Sequence, residues 1–325
     1  MKTLYKNFNL LDGTNNMTLK PNMELLVEND TITKIAESIE IDEAVTIPGG
    51  HMEGTVAYGA KDDADFVRFI EENISYGVDW IKIMITGGVL DAKVKGGPGE
   101  MRMTPEQVKL CCDTAHAHGV KVCAHVESPA GVVAAIDNGV DSVEHGSELH
   151  DEEIKILKER DGALICTLSP AVILARLSDK YTKASEIVIY NSEVLMQQMI
   201  TGTKTALEND IKVGLGTDTG CPFVTHYDMW RELEYAHRML EIPREEALYL
   251  GTLSNATILG IENETGSVEV GKKADFIVSR ENPMEDFRAL SQLELVVFEG
   301  KEIPNPKPEK FPECEKALDE LLNVI

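Results

Sequence analysis

Four polar side chains in the middle of the sequence lie within or just after apolar stretches. Lys82 interrupts WIKIMIT, His125 lies in VKVCAHV, His145 ends DSVEH and Asp218 follows VGLGT. Imidazole and carboxylate groups are ordinary ligands for zinc. Each residue alone could be structural, as a hydrogen-bonded histidine, an ion-paired lysine or a turn aspartate. Their occurrence together, one per apolar stretch, is harder to explain as coincidence and favours one shared functional site.

The elements that must position these residues alternate between strand and helix patterns. Because strands separated by helices form βαβ units, we expect a parallel sheet. Lys82 should share one face of its strand with Met84, by alternation. In a (β/α) barrel the active site lies at the C-terminal ends of the strands, where both histidines and Asp218 fall. The predicted strands lie at about 79–86, 120–127, 141–145, 163–169 and 211–217.

Composition limits the classes of function. The chain has 325 residues and a net charge of −25, which argues against nucleic acid because a phosphate backbone would be repelled. No window reaches the roughly 18 apolar residues of a membrane helix, and the first residues do not resemble a signal peptide. The six cysteines lack CxxC spacing, so we expect reduced thiols. A cytoplasmic protein is the expectation.

A His-x-His motif occurs in the sequence at His116-Ala117-His118. It lies at the end of a helical pattern, just before Gly119. Side chains two residues apart on a helix diverge by about 200° and cannot share one metal ion. We therefore interpret this motif as an ordinary helix end.

These motifs, in this order, resemble the amidohydrolase superfamily, in its imidazolonepropionase-like and Xaa-Pro or Xaa-Arg dipeptidase-like branch. The resemblance covers nearly the whole chain. DWIKIMITGG resembles the family's strand 4, AHVESPAGV and SVEHG resemble strands 5 and 6, and GLGTDTG resembles strand 8. GSVEVGKKADFIV and VVFEGKEI resemble the C-terminal strands that complete a small β-sandwich.

The resemblance implies an α/β fold: an incomplete TIM-type (β/α) barrel of about five parallel strands with helices, plus a small β-sandwich formed by the N- and C-terminal segments. The family carries a metal-binding HxH just after Pro-Gly, whereas here Pro48-Gly49 runs into Gly50-His51. Strands 1 to 3, about 70 to 90 residues, are missing at this point. The predicted domains are 1–47 with 266–303 (sandwich), 48–265 (partial barrel), and 304–325 (linker and C-terminal helix).

The resemblance also implies a mechanism. In the intact family, two metal ions and a carboxylated lysine hold a hydroxide that attacks an amide carbonyl. Here the matching metal ligands are Lys82, His125, His145 and Asp218, with Lys82 carboxylated and Asp218 also the catalytic proton shuttle. Because HxH is absent, we expect one divalent ion per chain, zinc by preference, instead of two.

His51, Glu127 and His226 match positions near the family's substrate, although both histidines could equally be surface residues. The expected activity is hydrolysis of a C–N bond in a small substrate such as a dipeptide, impaired if the gap disables the site. Two alternatives stay open: a catalytically inactive relative that acts as a binding or partner subunit, and a truncated gene product. The exposed edges of an opened barrel also favour association into homo-oligomers.

Overall fold

The computed structural model describes residues 2–14, 17–37, 60, 62–90 and 92–325. These residues fall into two compact units. The described residues before position 54 join 227–310 in the first unit, and those from 54 to 226 join 311–325 in the second.

The strands of the described residues form three sheets. In chain order they are β1 (Lys2–Leu10), β2 (Lys20–Glu28), β3 (Thr31–Ala36), β4 (Trp80–Met84), β5 (Lys121–Val126), β6 (Ser142–His145), β7 (Ala163–Cys166), β8 (Lys212–Leu215), β9 (Phe276–Ser279), β10 (Leu293–Phe298) and β11 (Lys301–Pro304). Antiparallel sheets have the orders β1-β2-β3 and β11-β10-β9, and a parallel sheet has the order β4-β5-β6-β7-β8. The five predicted parallel strands are confirmed. Four of the five strands end before their predicted last residues, because the chain leaves the sheet there to form loops and helices.

Helices connect the parallel strands, as the alternating pattern predicts. The described helices are α1 (Asp63–Ser75), α2 (Pro105–His116), α3 (Pro129–Asp137), α4 (Asp151–Arg160), α5 (Leu168–Arg176), α6 (Asp179–Thr182), α7 (Glu186–Glu208), α8 (Met229–Met239), α9 (Arg244–Tyr249), α10 (Asn255–Leu259) and α11 (Pro312–Leu322). Of these, α2 to α7 lie between consecutive parallel strands. The Thr104 hydroxyl caps α2 by accepting from the Gln107 N–H, which a threonine before a first-turn proline favours. Of the helices described, none has the length and apolarity needed to cross a bilayer.

The two faces of the parallel sheet differ in burial. Side chains alternate between faces along a strand, so Ile81 and Ile83 lie opposite Lys82 and Met84. The isoleucine face is buried, with Ile83 only 7% exposed, whereas Met84 is 52% exposed. Helices α2, α3 and α7 contact strands of this sheet. One face therefore belongs to a helix-covered apolar core and the other face is open at β4.

The edges of this sheet are β4 and β8, each of which pairs with one strand among the described residues. A complete barrel has eight strands and no edge. The mixed α/β fold with a five-stranded parallel sheet thus matches a partial TIM-type barrel, as predicted.

The first unit has its own core, to which two antiparallel sheets contribute. Leu25, Val27 and Ile32 from the N-terminal strands pack with Ala274 and Val297 from the C-terminal segment. The Ile32 N–H donates to the Lys272 carbonyl at 2.7 Å, which joins the two segments through the main chain. This packing is what a composite sandwich requires.

The boundaries of the domains stay a prediction. Residues 227–265, expected within the partial barrel, fall in the compact unit that contains the sandwich strands, and 311–325 fall with the barrel strands. The Pro48-Gly49-Gly50 junction and His51 lie outside the described residues.

Candidate metal centre

The candidate site lies at the C-terminal ends of the neighbouring strands β5 and β6. His125 is the last but one residue of β5, Glu127 follows that strand, and His145 is the last residue of β6. The exposed fraction is 9% for His125 and 7% for both Glu127 and His145. One ligand atom from each of the three side chains lies within 4.8 Å of the other two. The pairing of neighbouring strands therefore brings side chains from two segments into one buried cluster.

An unusual backbone conformation turns His145 into this cluster. Its neighbour Glu144 pairs with His125 across the sheet and so points to the same face as His125. Simple alternation would send His145 to the helix-covered face. Instead, His145 has a φ of 64°, in the left-handed region that non-glycine residues seldom adopt. Its ring consequently meets that of His125 edge-on, with the ring centroids 4.7 Å apart.

A hydrogen bond fixes the orientation of the His145 ring. Its Nδ1 lies 2.6 Å from the Thr167 hydroxyl oxygen, which leaves Nε2 for a metal ion. Metal-binding histidines commonly use the second ring nitrogen in this way. Burial, with smaller contributions from His125 and Lys82, lowers the pKa of His145 well below 6.5. The imidazole is therefore neutral near pH 7, the form that coordinates metals.

Glu127 is held by the loop that follows β4. Its Oε2 accepts a hydrogen bond from the Val89 main-chain N–H at 2.7 Å, and its own N–H donates to the Thr86 hydroxyl at 3.0 Å. Oε1 lies 3.8 Å from His125 Nε2. Two ligands of a tetrahedral zinc ion lie about 3.4 Å apart, given zinc–ligand distances of about 2.0–2.1 Å. Two imidazoles and a carboxylate at this spacing fit one divalent ion.

Lys82 lies on the same sheet face as His125, as alternation predicts, but in different surroundings. Its side chain is 43% exposed, and its Nζ lies 3.9 Å from Glu144 Oε2. The other oxygen of Glu144 accepts from the Ser142 hydroxyl at 2.6 Å. Burial raises the pKa of Glu144, against the opposing effects of Lys82 and Ser142. Lys82 is thus the ion-pair partner of a half-buried carboxylate.

Asp218 follows β8, at the C-terminal end of that strand as the histidines are of theirs. Its side chain is exposed. It lies outside the cluster of His125, Glu127 and His145. Its Oδ2 accepts from the Cys221 thiol at 3.4 Å. Burial and then Asp218 raise the pKa of that thiol to about 12, so Cys221 stays protonated near pH 7.

Of the remaining predicted site residues, His226 is exposed and lies beyond β8, whereas His51 lies outside the described residues. The His116-Ala117-His118 motif lies away from the cluster, because α2 ends at His116 and His116 Nε2 contacts Asp141 at 2.7 Å.

The sequence alone does not predict the contacts that three residues near the site make. Glu127 was assigned to substrate and not to metal, although His and Glu two residues apart on a strand share a face. Glu144 and Thr167 were not singled out. Their contacts join different strands, and the sequence alone carries no signal for such pairings.

Comparison with known proteins places this geometry in context. Residues 18–303 match the model of the amidohydrolase family. The ochratoxinase of Aspergillus niger is 28% identical over 236 residues, which is 72% of this chain and 47% of the ochratoxinase. The chain therefore spans about half the length of that curated relative.

Two solved structures resemble the chain over nearly its whole length. A candidate prolidase from Bifidobacterium longum has a TM-score of 0.87 at 30% identity, covering 98% of both chains. A Xaa-Pro dipeptidase with methionine in its active site has a TM-score of 0.75 at 20% identity, covering 94% of this chain and 100% of the dipeptidase. The second likeness concerns the fold alone.

Proposed function

The chain belongs to the amidohydrolase family, and from this premise we propose that it is a metal-dependent hydrolase of a C–N bond in a small amide, such as a dipeptide. The observation that carries the proposal is the buried cluster of His125, Glu127 and His145 at the C-terminal edge of the sheet. Similarity to a candidate prolidase and to ochratoxinase supports an amide as the substrate.

The donor set suits zinc, which combines readily with imidazole and carboxylate. His125 and His145 would hold the ion, with either Glu127 or carboxylated Lys82 as the third ligand. When bound, such an ion supplies Lewis acidity and lowers the pKa of a water molecule. We expect one ion per chain, because among the described residues a single cluster of at least three His, Cys, Asp or Glu ligands is found.

Asp218 would move the proton from the attacking water to the leaving nitrogen. An exposed carboxylate at the edge where the histidines lie is accessible to substrate. His51, Glu127 and His226 stay proposed contacts to the substrate. Replacing Asp218 by asparagine should lower kcat by about 10²-fold or more, the usual scale for a positioned acid–base group, without removing the metal. A fully active Asp218→Asn protein would place the catalytic site elsewhere.

The direct test incubates zinc-loaded protein with a panel of Xaa-Pro and Xaa-Arg dipeptides. Hydrolysis is measured as the release of free amino acids. We expect cleavage that chelation abolishes and added zinc restores. The matched control is His125→Ala, which should stay inactive at every zinc concentration. Absence of cleavage by folded, zinc-loaded wild type across the panel would reject the proposal.

A second candidate function is that of an inactive relative that serves as a binding or partner subunit. The exposure of Lys82 and its pairing with Glu144 favour this alternative, as does the lack of an HxH after Pro48-Gly49 in the sequence. Association with a second copy is part of the same proposal, since among the described residues β4 and β8 each pair with one strand only. Tight zinc binding without hydrolysis, together with a dimer by light scattering, would support it.

A further inference from the structure

We propose that Glu127, and not carboxylated Lys82, is the third protein ligand of the metal ion held by His125 and His145. The inference rests on the proposed metal site and assigns to it a ligand other than the lysine that the family resemblance implies. It makes the centre a site with two histidines and one carboxylate, a donor set that leaves zinc an open position for water or substrate.

The first reason is the position of the Glu127 carboxylate. Its Oε1 lies 3.8 Å from His125 Nε2, and the carboxylate belongs to the group whose ligand atoms lie within 4.8 Å of one another. The Val89 N–H holds Oε2 at 2.7 Å. A ligating carboxylate is typically oriented by such a hydrogen bond to its second oxygen, which here leaves Oε1 beside His125 Nε2.

The second reason is that the main chain around Glu127 is closely packed. A Cβ on Gly99, whose φ is 70°, would lie 2.4 Å from the Glu127 carbonyl oxygen. A Cβ on Gly88 would lie 3.2 Å from its carboxylate. Glycines at these two positions allow the loop after β4 to close over Glu127. The carboxylate is thereby held beside His125.

The third reason is burial. Glu127 and His145 are each 7% exposed and His125 is 9% exposed, so the three donors are shielded from solvent together. By contrast, 43% of the Lys82 side chain is exposed.

Lys82 is engaged differently. Its Nζ faces Glu144 Oε2 at 3.9 Å, and 43% of its side chain is exposed. This contact directs the Lys82 Nζ towards Glu144, whereas the Glu127 carboxylate lies beside His125.

The experiment compares zinc affinity among variants of the full chain, by competition with a chromogenic chelator. Glu127→Gln removes the ligand charge with little change of shape, and Lys82→Arg keeps the positive charge but cannot be carboxylated. Glu152→Gln, on the exposed start of α4, is the matched control for the amide substitution. We expect Glu127→Gln to bind zinc at least about 100-fold more weakly, since loss of an outer-shell partner alone costs 10–100-fold. Lys82→Arg and Glu152→Gln should bind as wild type does.

A second measurement uses wild-type protein only, so its result does not depend on whether a variant folds. Zinc-loaded wild type is equilibrated with ¹³C-bicarbonate and its ¹³C NMR spectrum is recorded for a carbamate carbon. We expect no carbamate signal. A carbamate signal in wild type, or zinc binding that Lys82→Arg abolishes and Glu127→Gln spares, would overturn the assignment.

Both readouts are independent of turnover. If the zinc pattern is as expected but no dipeptide is cleaved, the ligand assignment stands and the proposed hydrolase function fails. If cleavage occurs and depends on Lys82 carboxylation, the function stands and Glu127 is not the ligand.

Discussion

The central and edge strands of the parallel sheet give their polar side chains different surroundings. On the central strands β5 and β6, His125 and His145 are 9% and 7% exposed and meet edge-on. At the edge strands, the Lys82 side chain on β4 is 43% exposed, and Asp218, in the loop after β8, is exposed as well. A strand with neighbours on both sides surrounds its terminal side chains, whereas an edge strand leaves one side open. The metal-binding half of the site is therefore preorganised, and the half that would carry Lys82 and Asp218 is not.

The largest effect should come from breaking the central cluster. His145→Asn removes one imidazole, and asparagine tolerates the left-handed backbone that His145 adopts. We expect this variant to lose its metal during dialysis, whereas Asp218→Asn, at the sheet edge, keeps it. Elemental analysis of both proteins checks this. Equal metal loss in the two variants would show that the edge residue is as much a ligand as the central one.

A smaller effect concerns the free energy of unfolding, which should respond differently to substitutions on the two faces of β4. Ile83→Ala should lower the free energy of unfolding by about 2–5 kcal/mol, the usual cost of truncating a buried isoleucine. Met84→Ala, one residue along, should cost less than about 1 kcal/mol because surface substitutions usually change stability little. Urea denaturation of both variants measures the difference.

Similar costs at Ile83 and Met84 would mean that the open face is covered in solution. Repeating the Met84→Ala measurement over a range of protein concentrations would then show whether a second copy of the chain covers this face. A cost that falls on dilution would indicate a second copy of the chain.

The smallest expected effect concerns the orientation of a single ring. Thr167→Val keeps the shape but removes the hydroxyl that contacts His145 Nδ1 at 2.6 Å. Zinc affinity should fall by about 10–100-fold, as for other outer-shell partners of ligating histidines. Thr201→Val, on an exposed position of α7, is the control. Unchanged affinity in Thr167→Val would mean that the ring is held by packing alone.

The sequence predicts the sheet well, because the strands are apolar runs between helical patterns and each carries a local signal. It also predicts that His125 and His145 lie at the same edge, since parallel strands end together. It does not predict the φ of His145, which reverses the direction expected from alternation. Nor does it predict that Lys82 pairs with Glu144, which lies two strands away. These features depend on contacts between strands and on one local backbone conformation.

The central claim is that the buried side chains at the ends of β5 and β6 hold one metal ion in a parallel sheet of five described strands. Elemental analysis of purified wild type, washed with a weak chelator and reloaded with zinc, tests it most directly. The account predicts one zinc ion per chain, absent from His145→Asn. Two tightly held ions per chain, or no retained zinc in a protein that is folded by circular dichroism, would contradict it.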